Sequence, residues 1–146
     1  MDIGIDRPIS EVDVRRGWAD AFDLPVDAIA VTPDWGNLDR WGGPEIRVAV
    51  GRFEEVGEDF PLTLSVVLRD DDMVSRVSTN TESVGAVQRF CAALGCRAIM
   101  SSYNDDQSTW TLVAANGIWR VRGYDPDDAE GRLADASVEP VAVVAA

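Results

Sequence analysis

Two periods of apolar residues run through this chain. Val14, Trp18, Ala21 and Phe22 recur at the spacing of one helical face, whereas Leu62, Leu64, Val66 and Leu68 alternate in the manner of a strand. The first helix opens on Ser10 and Asp13, which have capping-box spacing, with Ile9 and Val14 placed as a hydrophobic staple. Pro25 ends it, and Gly17 inside it costs about 1 kcal/mol relative to alanine. A second and stronger helix opens on Thr79 and Glu82. It carries Val84, Val87, Phe90, Cys91 and Leu94 on one face, and Gly95 stands at its expected C-terminal stop.

Strands are predicted at Ala28–Thr32, at Ile46, Val48 and Val50, at Leu62–Leu68 and at Arg97–Ser102. A change of apolar parity between Val50 and Phe53 predicts a bulge near Gly51. Met73–Val77 reads as a further short strand after the turn Asp70-Asp71-Asp72, and Met1–Pro8 reads as a polar, acidic lead-in. Thr109–Ala115 and Ile118–Tyr124 flank Asn116-Gly117, the dipeptide of a type I′ hairpin. A two-residue loop there sets Ala114 against Trp119, Leu112 against Val121 and Trp110 against Gly123. That makes the tryptophan side the buried one and leaves Arg120 and Arg122 on a mixed outer face. Asp125, Pro126, Asp127 and Asp128 open a short helix that fades near Asp135. The tail, residues 136–146, reads as an edge strand or a frayed end.

Strand runs joined by hairpins, with few helices between them, define the α+β class. The expectation is a mainly antiparallel sheet of about six strands, with two principal helices packed on one face and a short C-terminal helix. A chain of 146 residues fits one domain, residues 1–146, large enough for a true core.

Charge adds what periodicity does not. The chain has 26 acidic residues against 13 basic ones, a net charge of -13, and every base is arginine. Such a field repels nucleic acid and anionic membranes and favours basic protein partners. No 18-residue apolar run suggests a membrane span, and the start lacks a basic-then-apolar leader, so the chain reads as soluble and cytoplasmic.

Candidate chemistry is sparse. With no histidine, a Cys-His pair is impossible and the commonest metal ligand is missing. No phosphate-cradling glycine loop and no nucleophile elbow occurs. Cys91 and Cys96 make neither a disulfide framework nor a zinc half-site, and Cys91 reads as a small core residue. Asp125 to Glu130 fails as a calcium loop at its fifth and sixth positions. The acids of Asp70–Asp72 and Asp105-Asp106 read as solvated turns. Arg47, Arg120 and Arg122 read as outer-face residues paired with acids, with an anion spot as the alternative. No catalytic residue, metal ligand or cofactor is assigned.

The segment Asp34-Trp35-Gly36-Asn37-Leu38-Asp39-Arg40-Trp41 joins two tryptophans to an arginine and two acids, residue types that anchor protein interfaces. Asp34, Trp35, Asp39, Arg40 and Trp41, with the acidic turn Glu54, Glu55, Glu58 and Asp59, are the expected partner-binding residues. In size, acidity and lack of catalytic apparatus the chain resembles the small immunity proteins that bacteria use against their own toxins. That resemblance rests on no motif. It implies a module that blocks a basic partner such as a toxin. The alternatives are an acidic secretion-chaperone-like protein, for which a homodimer is expected, and a small-molecule binder or enzyme using carboxylates and arginine.

Overall fold

The computed structural model of the chain describes residues 1–33, 43–54, 59–101, 109–122, 124 and 137–140. Its strands are β1 (Asp2–Ile5), β2 (Ile29–Thr32), β3 (Val48–Glu54), β4 (Leu62–Leu68), β5 (Ala98–Ser101), β6 (Thr109–Ala114), β7 (Gly117–Arg122) and β8 (Ser137–Pro140). Its helices are α1 (Glu11–Phe22), α2 (Asp71–Ser75) and α3 (Asn80–Leu94). The strands form one sheet in the order β2-β3-β4-β1-β5-β6-β7-β8. Among the described strands only β2 and β3 run parallel. The α+β class and the mostly antiparallel sheet are therefore present, with eight strands in place of about six. The expected C-terminal helix lies outside the described residues.

Both long helices begin as their sequences predict. The Ser10 hydroxyl accepts from the Asp13 N–H at 3.2 Å, and Thr79 Oγ1 accepts from the Glu82 N–H at the same distance. Ile9 and Val14 are both buried. Gly95 ends α3 in the left-handed region at φ 66°, which glycine adopts without a Cβ penalty. Gly17 has a different use: a Cβ there would stand 2.8 Å from both Phe90 and Leu94. Its missing side chain lets α1 and α3 pack closely, and that packing outweighs the propensity penalty. Trp18 stacks on Phe90 at 4.3 Å and on Phe22 at 5.6 Å within this contact.

The main core joins Val14 and Trp18 of α1 and Val87 and Phe90 of α3 to alternate residues of the sheet, including Ile3, Ile5, Val48, Leu64, Met100 and Val113. A second cluster gathers Phe60, Ile99, Leu112, Val121 and Tyr124, with Trp110 and Trp119 packed against it. Ile99 lies between Ala98 and Met100 of the main core, so the two clusters occupy opposite faces of the sheet.

Several expectations are corrected. Asp2–Ile5 is a central strand between β4 and β5, not a lead-in. Four residues containing a glycine are too few to show a period, but Ile3 and Ile5 are fully covered. The β3–β4 register is unbroken from Val48 opposite Leu68 to Glu54 opposite Leu62, so Gly51 carries no bulge. Met73–Val77 is not a strand. Asp70 caps α2 instead, its carboxylate accepting from the Met73 N–H at 2.8 Å.

The β6–β7 hairpin turns at Ala115-Asn116, with Ala114 opposite Gly117 and Leu112 opposite Trp119. This differs from the predicted pairing by two residues, so each side chain keeps its predicted face. Gly117 serves close approach rather than the turn, since a Cβ there would meet the Trp119 ring at 2.9 Å. The faces also share burial. Val113 and Ile118, on the arginine side, enter the main core, while Trp110 and Trp119 remain half-buried.

Candidate functional site

Where α3 ends, its last turn is closed by two hydrogen bonds to one carbonyl. Gly95 N–H donates to the Cys91 oxygen at 2.8 Å and Cys96 N–H to the same oxygen at 3.2 Å. This is the geometry that puts the fourth-last residue of α3 beside the second residue after it. The Cys-x4-Cys spacing is the spacing of that pair, and both cysteines are buried thiols. Arg97 follows, and Asp6 at the end of β1 holds it: the carboxylate accepts from the Arg97 backbone N–H at 3.0 Å and from Nε at 3.1 Å.

Beside this turn lies a cavity of about 780 Å³, lined by Asp59, Cys91, Cys96, Arg97, Leu112 and Trp119 among others. Its size falls within the usual range for small-ligand sites, and its make-up of apolar wall and few polar groups is also typical. The two thiols influence each other. When Cys96 ionises, Cys91 S–H is its donor, which lowers the Cys96 pKa although burial opposes the shift. The same interaction, together with burial, pushes the Cys91 thiol up. In the neutral pair Cys91 Sγ donates to the Val113 carbonyl at 3.7 Å.

Of the expected partner-binding residues, Asp34, Trp35, Asp39, Arg40, Trp41, Glu55 and Glu58 lie outside the described residues. Glu54 is exposed at the end of β3 and pairs with Arg52 at 3.2 Å. Asp59 lies on the cavity wall. Glu54 and Asp59, counted together as one acidic turn, thus have different settings.

Several described arginines are engaged within the chain, whereas Arg15 and Arg120 are exposed. Arg52 donates to the Ile9 carbonyl at 2.7 Å, Arg76 to Phe22 at 3.0 Å and Arg89 to Ala21 at 2.8 Å. Arg47 binds Asp70 at 3.0 Å and Asp72 at 2.8 Å, and Asp72 also holds Arg76 at 3.0 Å. Arg47 precedes β3, near the sheet edge opposite β7, so it does not join Arg120 and Arg122 in one anion spot. Asp70 caps a helix and with Asp72 forms an ion-pair node, while Asp71 is solvated as expected.

By contrast, Glu11, Asp20, Asp23, Asp27 and Asp71 are exposed and make no ion pair with any described residue. Asp20 and Asp23 sit at the C-terminal end of α1, where a carboxylate opposes the helix dipole. Asp23 also holds a left-handed φ of 54°, a position that favours glycine.

Among the described residues no three His, Cys, Asp or Glu side chains gather to hold a metal ion. No described helix is long and apolar enough to cross a membrane. No family model, curated protein or solved structure matches the chain.

The sequence reading missed the cavity. One signal was present, since Cys91, Gly95 and Cys96 already had helix-closing spacing. Nothing local placed Leu112 and Trp119 across from them.

Proposed function

We propose that this chain is an acidic protein-binding module that blocks a basic partner, in the manner of a toxin-neutralising immunity protein. The observation that carries the reading is the division of charge. Arg47, Arg52, Arg76 and Arg89 bond to carbonyls and carboxylates of their own chain, while Glu11, Asp20, Asp23, Asp27 and Asp71 face solvent without an ion pair to any described residue. Stability alone favours a glycine at position 23, and the cations that suit the end of α1 are already in place, Arg89 and Arg76 on the Ala21 and Phe22 carbonyls, without need of Asp20 or Asp23. Carboxylates at both places fit a surface kept for attraction, which raises association rates with a basic face. The Trp35–Trp41 segment and Glu54, Glu55, Glu58 and Asp59 complete the proposed contact set.

The test is capture of partners from the native cell at low and moderate salt, followed by binding kinetics with the purified partner. One basic protein is expected. Its association rate should fall several-fold on Asp20→Asn with Asp23→Asn and Asp27→Asn, and its dissociation should accelerate on Trp35→Ala. Finding no partner at either salt, or one whose kinetics ignore these changes, overturns the reading.

The cavity supports a second reading, a small-molecule binder, because it joins an apolar wall to Asp59 and Arg97. A soluble ligand that protects the chain from thermal unfolding, with protection lost on Leu112→Trp, would favour it.

A further inference from the structure

The fold prepares the Cys91–Cys96 pair beyond what core packing requires. Two alanines or valines would make the same apolar contact across the closing turn of α3. The backbone on both sides of Cys96 is fixed, by the bonds to the Cys91 carbonyl and by the Asp6 clamp on Arg97. Within that frame the two thiols are neighbours, close enough for one to hydrogen-bond the other's thiolate, which is the proximity a sulfur–sulfur bond requires. Both residues also line the 780 Å³ cavity, which gives a small reagent a route to them that their low exposure does not suggest.

We propose that Cys91 and Cys96 form a thiol-modification site in which Cys96 attacks a low-molecular-weight disulfide admitted by the cavity and Cys91 resolves the product. In the first step the Cys96 thiolate attacks one sulfur of R–S–S–R. The Cys96–SR bond forms, the reagent's bond breaks and RS⁻ leaves. In the second, Cys91 gives its proton to that RS⁻ and attacks the Cys96 sulfur. The Cys91–Cys96 bond forms and a second RS⁻ leaves, protonated by solvent. Two protein thiols are oxidised and one small disulfide is reduced to two thiols. The order of attack follows from the setting: Cys91 is the more deeply buried thiol and donates to the Val113 carbonyl, whereas a Cys96 thiolate has its neighbour's S–H as a donor and Arg7 nearby, with Asp6 opposing. The proposal does not depend on the partner reading.

The experiment treats the native chain with hydroxyethyl disulfide, a neutral probe chosen because a net charge of -13 repels anionic reagents. Intact mass should fall by two hydrogens, and peptide mapping should find Cys91 linked to Cys96. Cys91→Ser should stop at a mixed disulfide on Cys96, and Cys96→Ser should react at least about 10-fold more slowly than the parent chain. If a serine variant does not fold, early quenching of the parent reaction locates the first mixed disulfide by itself. Two probe groups per chain without linkage, reaction only in denaturant, or first attack from Cys91 would each overturn the proposal.

Discussion

Trp18 shows how single residues balance opposing terms here. Its ring is fully buried between Phe22 and Phe90, but its Nε1–H has no hydrogen-bond partner. A buried unpaired donor costs about 1–3 kcal/mol. Trp18→Phe removes that donor and loses a similar amount of apolar contact, so its net effect should stay within about 1 kcal/mol. Trp18→Ala should cost about 3–5 kcal/mol, because it leaves a cavity. Gly17→Ala is the complementary case. Helix propensity favours alanine by about 1 kcal/mol, whereas the 2.8 Å approach of Phe90 and Leu94 forces the helices apart. Overpacking of this kind costs about 1–3 kcal/mol, so the variant should be less stable than the parent. Urea denaturation of all three variants measures these differences.

At the scale of elements, α2 and the segment before β3 are joined through charge. Arg47, and then the Met73 N–H, hold the Asp70 carboxyl below its ordinary value of 3.8. In the unfolded chain that help is gone and Asp70 binds its proton at higher pH. Asp70 therefore adds stability that is whole above about pH 5 and is lost as pH falls through the depressed folded value. Asn at position 70 keeps the helix cap and removes the charge. Asp70→Asn should lower the thermal midpoint at neutral pH, and the gap to the parent should close in strong acid. A midpoint series across pH checks the sign. In the β6–β7 hairpin, Gly117→Ala should displace the Trp119 ring and alter its fluorescence while the strands remain paired, since the turn itself sits at Ala115-Asn116.

At the scale of the molecule, a net charge of -13 works against the compact state. Neutral salt should raise the thermal midpoint by screening that repulsion, because the Debye length falls from about 10 Å at 0.1 M to about 3 Å at 1 M. A midpoint that falls as sodium chloride is added would mean that the internal arginine pairs outweigh the long-range field. The same salt series slows association with a basic partner, so stability and binding should respond in opposite directions.

What the sequence determined by itself was local. Ser10, Thr79 and Gly95 set helix ends through groups within a few residues, and the alternation of Leu62–Leu68 defined β4 because both its faces are sampled within seven positions. Acidity and the absence of histidine likewise needed no fold. Contacts between distant segments were decided only by tertiary structure. β1 is a strand because β4 and β5 supply its hydrogen bonds. Gly17 and Gly117 are explained by side chains that approach them, and the hairpin's register appears only in the pairing of β6 with β7, two residues from the one the turn dipeptide predicts. Asp70 is a cap because a helix follows it. The cavity exists because the end of α3 meets the β6–β7 turn, segments some 20 residues apart in the chain whose meeting no local period records.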